Sequence, residues 1–360
     1  MKRQRKKQKR LGIKGATSGE NLCFCFMVLN GTRDIVRTEL RKRLGSQMQD
    51  LQHHRENEIH FRFSGSLEKL LSIRTAQSLF VRKDFKITRP RTLLSPEIMS
   101  DLVGWMRSIN QLSVSRWHSF RIDAAGSQSP TMRRIADAIE EALGLPYESD
   151  NGDCVLAMRP GMSGWELLCR VGSRPLATRS WRHVNYRGSL NAAIAANMVL
   201  MTRPRPTDRV INIMCGGGTL LIERLLVEKA VLAVGIDISI SSMSAMSVNV
   251  SAAGVANLID IVRGDGNSCA FVNSAFDVVL IDLPYKAPVD KYKGNNELYR
   301  QVLTEAARLC EVGGRAVVIT DDRSALHFAL HSLQNEWAVT DDRIITQRQY
   351  KPRCILMNRI

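Results

Sequence analysis

The chain has 360 residues, is 44% hydrophobic and carries a formal net charge of +16. That length predicts two domains or one large domain with an extension, and no apolar run reaches the roughly eighteen residues of a membrane span. The charge points to a polyanionic partner. Residues 1–180 hold 31 basic and 18 acidic side chains, hence +13; residues 181–360 hold 20 and 17, hence +3. Such an excess is expected if the first half grips nucleic acid and the second does chemistry. The eight cysteines include no C-x-x-C pair and read as buried, reduced thiols of a cytosolic protein. The seven histidines form no metal pattern; His327 and His331 read as surface or capping residues.

Residues 1–20 form a basic tail with no apolar core behind it, so no secretory signal is expected. Leu22–Leu29 reads as a strand, and Asn30-Gly31-Thr32 as a turn and helix cap. An amphipathic helix follows from Asp34 to Leu44, ended by Gly45. Ile59–Phe63 alternates as a half-buried strand. Ser66 opens a helix through Ile73, and Leu79–Val81 and Phe85–Ile87 are two strand pieces. This order suggests a small α+β unit of ferredoxin-like type. Ser95-Pro96-Glu97 starts a helix to about Ile109, and Ser129-Pro130 starts another to Leu143. Strands are expected at Ser119–Ala124, Val155–Arg159 and Trp165–Val171.

Asn185-Tyr186-Arg187-Gly188-Ser189-Leu190 leads into a small-residue helix, Ala192–Met201. From Val210 the pattern alternates strand and helix, as in a parallel sheet with an antiparallel hairpin at one edge. Its first strand runs into Cys215-Gly216-Gly217-Gly218-Thr219, and a helix opens there. Glycines permit positive φ and close backbone approach, and free N–H groups collect at such a turn. Asp237 ends the next strand, where a carboxylate holds a ribose in nucleotide-type sites. Asp265 follows the third strand. The buried strand Phe276–Ile281 ends in Asp282-Leu283-Pro284-Tyr285, at the sheet end where open α/β folds bind ligands.

These strand-end sites resemble the class I S-adenosylmethionine-dependent methyltransferases. Asp282-Leu283-Pro284-Tyr285 resembles the (Asn/Asp)-Pro-Pro-(Tyr/Phe) motif of members that methylate exocyclic amines of bases. Residues 93–182 resemble the THUMP RNA-binding module through Phe120–Ala124, the helix after Ser129, two late strands and the closing Pro175–Arg182. Residues 21–92 resemble the ferredoxin-like domain that precedes THUMP. The fold expected is therefore α/β: a Rossmann-like methyltransferase sheet over 183–360, preceded by an α+β ferredoxin-like/THUMP region.

The resemblance implies S-adenosylmethionine held by Asn212, Cys215, Gly216, Gly218, Asp237, Asp265 and Asp282. It also implies that Asp282 and the Leu283 carbonyl accept the amine hydrogens, Pro284 fixes the loop, and Tyr285 stacks on a flipped base. Asn212 and Ile213 depart from the family's Asp-Pro, and Leu283 from its first proline; the Asn212 change is expected to weaken the contact to the cofactor's amino group. The basic residues Arg82, Lys83, Lys86, Arg133 and Arg134 are candidate RNA contacts, with recognition by shape. The expected activity is methyl transfer to guanine N2 of RNA, tRNA favoured, in the cytoplasm. Alternatives are a large-subunit rRNA guanine-N2 methyltransferase, or an RNA-binding protein whose methyltransferase-fold domain is a scaffold or needs a small protein activator. Adenine N6 suits the same motif.

Overall fold

The computed structural model describes residues 22–51, 55–113, 115–185, 188–285, 295–347 and 349–360. The basic tail and Tyr186-Arg187 lie outside the described residues. Two seven-stranded sheets organise the rest.

The first sheet is built from β1 (Cys23–Met27), β2 (Met48–Leu51), β3 (Glu58–Phe63), β4 (Ser78–Phe85), β5 (Phe120–Ala124), β6 (Cys154–Gly161) and β7 (Gly164–Arg170), ordered β2-β3-β1-β4-β7-β6-β5. Its helices are α1 (Arg33–Leu44), α2 (Leu67–Leu71), α3 (Pro96–Leu112) and α4 (Pro130–Leu143). Their boundaries follow local chemistry. Ser129 Oγ accepts the Met132 N–H at the start of α4, Pro130 takes the first turn, and Gly144 ends the helix at φ +69°. Met132, Ile135, Ala136 and Ile139 then share the buried face. The two expected N-terminal units share one sheet, because β4 pairs antiparallel with β7.

Two local expectations are corrected, and one strand carried no sequence signal. β4 is one strand, not two pieces: Arg82, Lys83 and Asp84 interrupt the apolar run, yet alternation sends Arg82 and Asp84 to one face and Lys83 to the other. β3 is buried on both faces from Glu58 to Phe61 rather than half-buried, since Glu58 and His60 are as buried as Ile59 and Phe61; Arg62 beyond them is exposed. β2, Met48-Gln49-Asp50-Leu51, carries too little apolar alternation to announce itself and forms by pairing with β3.

The second sheet follows α5 (Ala192–Met201). It contains β8 (Arg209–Ile213), β9 (Leu232–Asp237), β10 (Asp260–Arg263), β11 (Phe276–Asp282), β12 (Cys310–Thr320), β13 (Trp337–Ile344) and β14 (Arg353–Arg359), with helices α6 (Thr219–Val227), α7 (Ile240–Ala252), α8 (Asn296–Leu309) and α9 (Arg323–Ser332). The order is β10-β9-β8-β11-β12-β14-β13. β10, β9, β8, β11 and β12 run parallel, and β14 runs antiparallel between β12 and β13. The β8–β11 junction, where connections leave in opposite directions, opens a crevice at the carboxyl ends of the strands.

The halves are bolted together. Glu223 of α6 is fully buried; Arg74 binds it with Nε and Nη2 at 2.6 and 2.8 Å, and Arg179 Nε binds it at 2.9 Å. Asn197 of α5 donates to the Thr75 carbonyl at 2.9 Å. Gly31 meets the other half at φ +87°, where a Cβ would sit 2.3 Å from the Ile344 carbonyl oxygen. No described helix is long and apolar enough to cross a membrane.

Candidate active site

β8 delivers Asn212 and then the glycine turn. Met214 takes φ +56°, Gly216 +53° and Gly218 +80°, so two of the three glycines use the left-handed region that glycine makes cheap. A Cβ on Gly218 would lie 2.7 Å from Met246 Cγ. Asp237, ending β9, accepts from the Gly216 N–H at 2.8 Å and the Ser239 N–H at 2.9 Å. It therefore clamps the turn to the next strand. Asp265 accepts from the Asn267 N–H at 2.9 Å and lies exposed beside the turn.

β11 delivers Asp282, Leu283, Pro284 and Tyr285. Burial pushes the Asp282 carboxyl up to about 7, opposed among the described residues by the hydrogen bond that Tyr285 Oη donates to its Oδ1 at 3.2 Å. Burial, and then the Asp282 charge, push the Tyr285 phenol upward as well. The Leu283 N–H donates to the Ile319 carbonyl at 3.0 Å, and Tyr299 Oη donates to the Pro284 carbonyl at 2.5 Å while pairing with Thr320 Oγ1 at 2.6 Å.

All the sequence-derived candidates for cofactor binding and catalysis line one cavity of about 350 Å³, except Gly218, which opens α6 beside it. Asn212 is buried. Its Nδ2 donates to the Leu280 and Ile213 carbonyls at 2.9 and 3.3 Å, while its Oδ1 has no partner among the described residues. A neutral acceptor is thus left at the cavity wall.

Sequence reasoning missed the groups that hold this cavity in shape. Asn249 of α7 donates to the Gly217 carbonyl at 3.2 Å and pairs with both backbone groups of Val184. Arg182 ties the Leu190 carbonyl to Thr219 Oγ1, at 2.7 and 2.9 Å. Tyr299 carries an ordinary helical core spacing and no signal of its role. Tyr350 lies edge-on to Tyr285, ring centroids 5.3 Å apart.

The basic candidates are scattered. Arg82 binds Asp84 and Glu166, Lys83 binds Asp101 at 2.5 Å on the opposite face of β4, and Lys86 is exposed. Arg133 pairs with Asp137 and lies over the Tyr147 ring; Arg134 is exposed. Among the described residues, the group nearest to a metal-ligand set is Cys25, Glu58 and His60. Arg159 engages both Glu58 oxygens at 2.6 and 2.7 Å, so that carboxylate is already neutralised.

Residues 179–344 match the family model described as UPF0020, RMKL-like, methyltransferase domain, and over that span the resemblance read from the sequence is borne out. The mouse protein named tRNA (guanine(6)-N(2))-methyltransferase THUMP3 is 26% identical over 175 residues, 43% of this chain and 34% of that protein. The bovine U6 snRNA (guanine-N(2))-methyltransferase THUMPD2 is 28% identical over 301 residues, 82% of this chain and 55% of that one. The matched region is about a third of the length of the first of these and about half of the second. The crystal structure of TrmN from Thermus thermophilus superposes with a TM-score of 0.72 at 20% identity, covering 94% of this chain and 100% of that one. The class I methyltransferase fold expected from the sequence is the fold observed.

Proposed function

We propose that this protein transfers a methyl group from S-adenosylmethionine to the exocyclic N2 of a guanosine in RNA, with tRNA the favoured substrate. The observation that carries the reading is the convergence of the glycine turn, Asp237, Asp265 and Asp282-Leu283-Pro284-Tyr285 on one cavity. The activities in the names of the relatives support the choice of base and atom, and the charge of the first half supports an RNA substrate. A THUMP-like first half and a cytoplasmic location belong to the same proposal.

The cavity fits the cofactor. The unpartnered Asn212 Oδ1 suits an ammonium group, the positive-φ turn admits close backbone approach, and Asp237 and Asp265 stand where a ribose and an adenine would need acceptors. When bound, the cofactor supplies an electrophilic methyl group. The chain's part is to aim a weakly nucleophilic amine. Asp282 and the Leu283 carbonyl accept its N–H groups, and Tyr299 locks the loop that carries them. Titrating near 7, Asp282 holds the proton the amine gives up.

The test is tritiated methyl transfer to unmodified total tRNA and, separately, to rRNA, by the wild type and Asp282→Ala. N2-methylguanosine in tRNA, lost in the variant, is expected. No label in either RNA, together with no binding of S-adenosylmethionine, overturns the reading and leaves an RNA-binding scaffold.

A further inference from the structure

A second cavity, of about 1500 Å³, opens between the halves and shares Gly188, Ser189, Leu190 and Tyr285 with the first. Drug-sized ligands occupy roughly 300–1,000 Å³, so this space exceeds the needs of a single small molecule. We propose that it is a base-reading slot: it takes unpaired nucleotides adjacent to the methylated one and contacts their base edges. The inference rests on the RNA methyltransferase reading and adds the form of the substrate.

The lining chemistry argues for bases over phosphates. Asn30 and Asn57 come from the first half, Asn185 from the linker, and Gln347 and Gln349 from the turn between β13 and β14. Among the described residues none of these five amide side chains has a hydrogen-bond partner, and each can both donate and accept. The described cations of the lining are Arg179 and Arg182, and both are spent. Arg179 serves Glu223 and the Leu176 and Arg74 carbonyls, and Arg182 serves Leu190 and Thr219. Among the described residues of the lining a phosphate would find no free cation, whereas amides match the paired donors and acceptors of a base edge. Tyr350 and Tyr285 meet edge to face at the junction, an aromatic surface against which a base can stack. Side chains cannot read an A-form duplex through its deep, narrow major groove, while unstacked bases present their edges freely.

The experiment uses the full chain and tRNA transcripts carrying 4-thiouridine, cross-linked by light and mapped by peptide. Methylation kinetics, S-adenosylmethionine affinity and the salt dependence of RNA binding are measured in parallel for the wild type and Asn57→Ala/Gln349→Ala. Cross-links at residues 30, 57, 347, 349 and 350 are expected. The double variant should raise KM for RNA roughly fivefold or more, the lower range for a bidentate amide–base contact. Its cofactor affinity and salt slope should be unchanged, because no phosphate contact is lost. Cross-links confined to other surfaces, an unchanged KM, or a reduced salt slope would each overturn the slot. If no RNA is methylated at all, the catalytic reading fails, and the cross-link map alone still decides what the cleft contacts.

Discussion

Two carboxylates in this molecule, Glu58 buried and Asp282 half-buried, have opposite fates. Glu58 sits in the first sheet against His60 at 2.7 Å and Arg159 at 2.6 and 2.7 Å, with Arg159 and Arg82 also gripping Glu166. Burial pushes its pKa up, but hydrogen bonds from His60 and Arg159 and the Arg159 charge reverse the effect and bring it to about 2. Among the described residues Asp282 has one tyrosine hydroxyl and no cation, and burial leaves it at about 7. Saturated pairing makes the first a structural charge. Under-pairing makes the second a group that changes state near neutrality, as acid–base chemistry requires.

The contrast breaks most severely at Arg159. Arg159→Met should take the guanidinium from Glu58 and Glu166, leave Glu58 its His60 contact, and cost about 3–5 kcal/mol of stability, read by urea denaturation. The sign of the pH effect is diagnostic. With its pKa depressed, Glu58 stabilises the wild type above about 4.5, and this is lost as the pH falls through about 2. In the variant the carboxylate that has lost its guanidinium gains by protonation, so the deficit should shrink between pH 7 and 5. An equal deficit at both values would sink the account.

At the second carboxylate, Asp282→Ala should lower methyl transfer roughly 10²- to 10³-fold, the usual cost of one preorganised polar partner, with cofactor affinity changed far less. Asp282→Asn keeps a neutral acceptor and should retain more activity than alanine. The wild-type rate should rise with pH through about 7 as Asp282 ionises, and the asparagine variant should be flat across that range. A shared profile would assign the titration to another group.

The same substitution should stabilise the fold. A raised carboxyl favours the folded state below its unfolded value of 3.8, and that contribution is lost as the pH climbs to about 7. Asp282→Asn should therefore gain about 2–4 kcal/mol at pH 8 and much less at pH 4. Smallest of the set, Tyr299→Phe removes the hydroxyl between Pro284 and Thr320. It should cost about 1–2 kcal/mol and lower kcat several-fold with cofactor affinity intact. A fall in cofactor affinity instead would place Tyr299's effect at the glycine turn.

The catalytic half was legible because its signals are local. A β-branched run, three glycines and an acid at the next strand end are contiguous in sequence, and a parallel sheet brings such strand ends together. The first half was less so. Its charges read as an excess that grips nucleic acid, yet Glu58, Glu166 and Arg170 are buried and Glu39 holds the Arg74 and Thr75 backbone. What neutralises a charge is its spatial neighbour, often a hundred residues away, as for Arg159 and Glu58. Tyr299 was hidden for the reverse reason: an aromatic at a core spacing predicts packing, and only its hydroxyl has a task.

The position of β14 sets an order in time. Residues 353–359 enter the sheet between β12 and β13, so β13, though made earlier, has no β-strand partner among the described residues until β14 arrives. During synthesis the edge of β12 stays open while the strands and helices before it are complete. An open strand edge is a template for another chain. The nascent protein should therefore pass through a late, aggregation-prone interval that closes in one step, when β14 threads in and supplies ladders to both neighbours.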